Sequence, residues 1–247
     1  MAQQTPLYIV ASPQPRVGKT LLARLLIEFF RSTERPTVAY DLNPRDPALA
    51  GRFPYLVTTV DIADTRGQMV LFDRLLSSEP HTTVVDLGYS PFDQFFAVMA
   101  EIDFVREARR QAIEPIVLFV ADSAPTTANT YLALRQRLGA TFVPVHNESV
   151  SVMFSKKEYP ATHADCAMIR IPRLSPIVRG VIDRPSFTFA SYLHEQRETP
   201  TEIHEWVGTV FAEFRELELR LLLGKLKSAL DSRPPATARE PRRAPQR

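Results

Sequence analysis

The stretch PLYIVASPQPRVGKTLLARLLIEFF, residues 6–30, decides the fold. Residues 6–11 are a short apolar run and read as a buried strand. From Val17 to Phe30, Leu21, Leu22, Leu25, Leu26, Phe29 and Phe30 recur at helical spacing. Between the two lies a loop ending in Gly18-Lys19-Thr20. A helix that starts directly after such a loop presents unpaired N–H groups and a positive dipole end to an anion. In this context Arg16, Val17, Gly18, Lys19, Thr20 and Leu21 form the expected phosphate-binding turn, with Lys19 reaching the β- and γ-phosphates and the Thr20 hydroxyl holding Mg²⁺. An ordinary strand–turn–helix is the alternative.

The full loop pattern is G-x-x-x-x-G-K-[ST], and Pro13 stands where its first glycine belongs. Pro13 and Pro15 remove amide donors only upstream, where the loop leaves the strand. The residues from Arg16 to Thr20 all keep their N–H groups.

The rest of the chain repeats the strand–helix alternation. Strands are expected at 37–40, 56–62, 82–87, 116–120, 141–145 and 167–171. Helices are expected at 67–76, at 91–110 and at 126–138, the last closed by Gly139. Several strands are continuous apolar runs, which implies burial on both faces. The fold class is therefore α/β, with a mostly parallel central sheet and helices on both faces. Ligands bind such sheets beyond the carboxyl ends of the strands. Two acids stand at such ends. Asp86 closes TTVVD and can hold Mg²⁺ through water, or simply cap the next helix. Asp41 opens DLNPRDP, a loop that can approach a γ-phosphate, or simply a turn rich in Asp, Asn and Pro.

Composition sets outer bounds. The chain has 247 residues, 45% of them apolar, enough for one sizeable core. No apolar stretch approaches the roughly 18 residues of a membrane span. The N-terminus lacks a basic region before its apolar run, so it does not read as a signal peptide. The single cysteine, Cys166, allows no internal disulfide, reads as a buried structural residue and fits a reducing cytoplasm. The last 24 residues carry seven Lys or Arg against two acids, so a basic tail follows a mildly acidic body.

The ordered set VGKT (17–20), DLNP (41–44), VVDLG (84–88) and IPRLSPIVRGVIDRPSF (171–187) resembles the ParA/MinD family of deviant P-loop ATPases. The resemblance spans about residues 5–195. It implies a P-loop NTPase fold of the SIMIBI type, ATP/ADP and Mg²⁺ as ligands, and a nucleotide-dependent homodimer with an adaptor protein as partner. It also implies that Lys19 and Asp41 are catalytic, that Thr20 and Asp86 serve the metal, and that Asn147, Pro172 and Arg173 form the adenine pocket. Two departures bear on turnover. The family's signature lysine, five residues before the loop lysine, is Gln14, and the second acid of its Asp-x-Asp is Asn43. Gln14 carries no charge for the transition state, and Asn43 cannot act as a carboxylate base. The expected function is an ATP-binding switch with weak hydrolysis, acting in plasmid or chromosome partition, division-site placement or conjugal mobilisation. A pseudo-ATPase scaffold and a dethiobiotin-synthetase-like ATP-dependent enzyme are the alternatives.

Near the C-terminus, Thr199-Pro200-Thr201-Glu202 reads as a capping box with Thr199 as N-cap. Behind it Ile203, Trp206, Val207, Val210, Phe211, Phe214, Leu217 and Leu221 mark a long amphipathic helix over about 200–227. It is expected to dock on its own domain, or to meet a partner. Membrane attachment is not expected, because Glu202, Glu205, Glu213, Glu216 and Glu218 would repel anionic lipid. One domain is therefore assigned to 1–227. The Pro- and Arg-rich segment 228–247 is expected to be disordered, with DNA phosphates or acidic lipid as a non-specific contact and a solvated tail with no partner as the alternative.

Overall fold

The computed structural model describes residues 4–77, 81–150, 158–161, 168–195 and 201–231. β1 (Thr5–Ala11) leads to α1 (Lys19–Ser32), and β2 (Thr37–Asp41) to the short α2 (Ala48–Arg52). β3 (Val57–Thr59), α3 (Thr65–Leu75), β4 (Thr82–Asp86), α4 (Phe92–Glu101) and α5 (Phe104–Arg110) follow. Then come β5 (Ile113–Ala121), α6 (Pro125–Leu138), β6 (Thr141–Asn147), β7 (Ile169–Ile171), α7 (Pro176–Ile182), α8 (Phe189–His194) and α9 (Glu202–Asp231).

The strands form one seven-stranded sheet in the order β3-β2-β4-β1-β5-β6-β7. Every pairing is parallel. The expected α/β class holds. β1 shows why its residues fit the middle of such a sheet. Leu7, Ile9 and Ala11 enter the core on one face, beneath α3 to α6, while Tyr8 and Val10 enter the core on the other, beneath α1, α2 and α7 to α9. A side-chain period of two buries both sets because both sets are apolar. Among the described residues, no helix is long and apolar enough to cross a membrane.

α9 docks on its own domain. Its buried stripe packs Phe211 and Phe214 against Phe29 of α1, with ring centroids 5.3 and 5.5 Å apart. Arg35 clamps Glu218 with two nitrogen–oxygen contacts, at 2.5 and 2.8 Å. Toward its far end Leu219, Leu222, Leu223 and Leu226 turn outward and are exposed. Its first residue is Glu202, so Thr201 rather than Thr199 directly precedes it; Thr199, like Cys166 and residues 232–247, lies outside the described residues.

The structure corrects several boundaries. The single helix expected over 91–110 is two, broken at Asp103, which adopts a left-handed φ of 50°. Short-chain Asp tolerates that conformation, and its carbonyl restarts the ladder by accepting from Arg106 and Glu107. The strand expected over 56–62 is only Val57–Thr59, at the sheet edge. β5 begins three residues earlier than expected. Pro115 interrupts its donors, but the strand pairs through Glu114 and Ile116 on either side.

Candidate functional site

The site grows from the C-terminal ends of β1, β2, β4 and β6. After β1, the loop 12–18 turns into α1. Gly18 is the N-cap of α1, with φ 93° and no side-chain cap, so the first-turn amides face outward unpaired within the helix. Arg16, also left-handed at φ 58°, is exposed at the rim. Gly18 is required twice over. Its φ is open to glycine, and a Cβ there would lie 2.4 Å from Asn147 Nδ2. Asn147, buried at the end of β6, donates that Nδ2 to the Val17 carbonyl at 3.1 Å. Asn147 thus braces the loop from β6, which lies beyond β5 in the sheet.

Lys19 is almost fully buried, and its Nζ donates to the Gln14 carbonyl at 2.5 Å. Burial lowers its pKa to about 8, against the favourable pull of Asp86. Asp86, at the end of β4, is 4% exposed. Burial raises its pKa to about 7; Thr20 and Lys19 oppose that rise, and Asp41 adds to it. Lys19, Thr20 and Asp86 are therefore one electrostatic cluster at the head of α1. Asp41 is spent differently. Its Oδ1 accepts from the Asn43 amide at 3.1 Å, and its Oδ2 from the Leu49 and Ala50 amides at 3.0 and 3.2 Å. It holds the 42–50 loop and the start of α2.

The Gln14 side chain turns toward its own domain, with Nε2 3.5 Å from Thr127 Oγ1 of α6. Asn43 donates Nδ2 to the Asp46 carbonyl at 2.9 Å.

Beside the loop runs a narrow cleft. Arg16, Gly18, Leu21 and Asn147 line it from the expected set, joined by Ile171, Leu174, Arg179 and Trp206. Val17 is not at its surface; the side chain is buried in the core and the residue contributes its carbonyl. Pro172 accepts a hydrogen bond from Trp206 Nε1 at 2.7 Å, and Arg173 Nε leans on the Glu148 carbonyl at 3.3 Å. Trp206 was not singled out from the sequence as a site residue, because its position on the apolar stripe of α9 marks it only as core. Ser175-Pro176, a cap followed by a proline at the first helical position, was a readable signal for α7, which carries Arg179.

A wider surface basin of about 490 Å³ lies between α5 and the α6–β6 corner. It sits at the opposite end of the strands from Lys19, beside the start of β5. Its arginines are each paired with an acid, Arg106 with Asp103, Arg109 with Glu114 and Arg110 with Glu107.

The architecture has solved counterparts. The MinD cell division protein of Aquifex aeolicus superposes with a TM-score of 0.55 at 11% identity, covering 85% of this chain and 97% of that one. The chain has the MinD fold. A MinC:MinD cell division complex from the same organism matches at 0.54 and 11% identity, covering 85% and 96%. No family model and no curated protein matches the sequence. On the MinD fold, Gly18, Lys19 and Thr20 occupy the junction of the first strand and first helix, with Asp86 facing them from the adjacent strand β4.

Proposed function

We propose that this chain is a ParA/MinD-like switch that binds ATP with Mg²⁺ in the cytoplasm and hydrolyses it slowly. The observation that carries this reading is the convergence of Lys19, Thr20 and Asp86 at the uncapped N-terminus of α1. A buried ammonium and a ring of outward amides fit a polyphosphate. Thr20 and Asp86 fit Mg²⁺, which is commonly held by one or two protein oxygens together with phosphate and water. The metal, when bound, would neutralise charge developing on the phosphates. Leu21 and Asn147 would face the nucleoside, with Pro172 and Arg173 bounding that end. Asp41 would keep the 42–50 loop at the phosphate end.

Slow turnover follows from chemistry that is missing. Gln14 and Asn43 are neutral, and both side chains are engaged within their own domain. A nucleotide-dependent homodimer and an adaptor protein are the partners proposed with this reading, and plasmid or chromosome partition, division-site placement or conjugal mobilisation the setting. Non-specific DNA contact would come from the basic C-terminal segment.

Calorimetric titration of Mg·ATP into wild type and Lys19→Ala tests the site. Loss of a charge-assisted contact should weaken binding at least tenfold. Equal binding by Lys19→Ala would overturn the reading, and no binding by wild type would leave a scaffold. Light scattering with and without Mg·ATP tests the dimer.

A further inference from the structure

The C-terminal helix reaches the cleft through one residue. Trp206 lies on the second turn of α9, 6% exposed, and its indole is a wall of the cleft that Leu21 and Asn147 also line. Its Nε1 donates to the Pro172 carbonyl at 2.7 Å. Pro172 has no N–H of its own, so its carbonyl is the group by which the backbone can be held at that position. The other bonds on the 172–174 segment are longer: Arg173 Nε to the Glu148 carbonyl at 3.3 Å and the Leu174 amide to Ser149 Oγ at 3.4 Å. Of these three, the Trp206 bond is the tightest.

We infer that Trp206 is a positioning residue for the base of the bound nucleotide: its N–H fixes the 171–174 segment as one wall of the cleft, and so links docking of α9 to nucleotide affinity. This rests on the nucleotide-binding reading above.

The size of the cleft gives the inference its direction. The cleft encloses about 20 Å³, room for about one water and far below the roughly 300–1,000 Å³ of a small-molecule pocket. A base enters only if a wall yields. Asn147 and Ile171 are strand residues, and Trp206 is hydrogen-bonded and packed on Phe189, with ring centroids 5.9 Å apart. Val150 follows β6 outside regular structure and is 42% exposed. The Val150 side is the one that yields, and the Trp206 side is the fixed surface against which the base seats. Linkage is reciprocal, so a nucleotide that seats there also stabilises the docked helix by the same factor.

The helix has independent anchors in Phe211, Phe214 and the Arg35–Glu218 pair, so Trp206→Phe should leave it docked. Two ligands separate base from phosphate: Mg·ATP and Mg·tripolyphosphate, which has no base. For Trp206→Phe, the dissociation constant for ATP should rise about fivefold, the scale of one lost neutral hydrogen bond. That for tripolyphosphate should not move. Trp206 is the only tryptophan, so wild-type emission should shift with saturating ATP and stay constant with tripolyphosphate. Equal losses for both ligands would mark a purely structural tryptophan and overturn the inference, as would an unchanged ATP affinity or emission that ignores ATP. If circular dichroism shows that Trp206→Phe does not fold, the wild-type emission decides. If wild type binds tripolyphosphate and ATP equally and both depend on Lys19, the phosphate site stands and the role of Trp206 falls. If wild type binds neither, both readings fall.

Discussion

Asp41 and Asp86 are register partners on the adjacent strands β2 and β4, yet their carboxylates have separate duties. Asp41 is satisfied by three amides of its own loop, whereas Asp86 is left with Thr20 and Lys19. Burial without amide partners raises the Asp86 pKa to about 7 from 3.8. The folded state thus holds this proton more tightly than the unfolded state does. The contribution of Asp86 to stability is full below about pH 4 and is lost as pH rises through about 7. Asp86→Asn should therefore match wild type in melting temperature at or below about pH 4, pull ahead as pH rises and exceed it fully near pH 8, measured by calorimetry on metal-free protein. The same variant should lose the Mg²⁺ dependence of nucleotide binding. A stabilising change that removes function is the pattern of a residue kept for its chemistry.

Gly18 should tolerate no side chain. Gly18→Ala forces an L-residue to φ 93° and drives its Cβ against Asn147 Nδ2. The backbone term alone costs about 1–2 kcal/mol. Urea denaturation should show at least that loss, and nucleotide binding should disappear because the first-turn amides move with the loop. Adding Asn147→Ala removes the clash and leaves the backbone strain, so the double variant should recover part of the stability. Full recovery would mean that the φ angle carries no cost.

The main frame was legible because its signals are local. β1, β2, β4 and β5 each carry a short apolar run, and α1 and α6 show helical spacing between clear ends. Lys19 and Thr20 were legible from the Gly-Lys-Thr motif at a strand–helix junction, and Asp86 from its place at the end of β4. What escaped was held by distant partners. α2 is five residues long, too short to stand alone. Its first amides are capped by Asp41, eight and nine residues back. The Trp206 N–H is matched to a carbonyl 34 residues away, a pairing that no periodicity encodes. Val17 shows the converse: a motif position whose side chain belongs to the core while its carbonyl belongs to the site.

The 182–190 segment should depend on one buried ion pair. Arg24 and Glu28 are 2% and 1% exposed, one turn apart on α1, with Nε–Oε1 at 3.1 Å. Arg24 also donates to the Ile182 and Phe187 carbonyls and lies 4.6 Å from the Phe189 ring centre. Glu28 Oε2 accepts from the Ala190 amide at 2.9 Å. Arg24→Met leaves Glu28 buried and unpaired, which should cost about 3–5 kcal/mol in denaturant titration. Burial already raises the Glu28 pKa, so protonation relieves the lone carboxylate and the defect should shrink as pH falls. Arg24→Met combined with Glu28→Gln should be milder than Arg24→Met alone at neutral pH. If the double variant were worse, the ion pair would not be the anchor.

On the proposed reading, hydrolysis should rise only when both charges are supplied. The Gln14 carbonyl holds Lys19, and that contact survives any side chain at position 14. Gln14→Lys therefore adds a cation without disturbing the loop lysine, at the modest expense of the long contact to Thr127. Asn43→Asp supplies a carboxylate beside the phosphate end but gives up the Asn43–Asp46 bond. A cation alone cannot orient water, and a carboxylate alone leaves transition-state charge unmatched. Each single variant should stay within about threefold of the wild-type rate of phosphate release. The double variant should exceed it by at least tenfold, about 1.4 kcal/mol of barrier. If the position-14 cation acts across the proposed nucleotide-dependent dimer, the gain should grow with protein concentration. A gain that is full in Asn43→Asp alone, or independent of concentration, would remove Gln14 from the account of slow turnover.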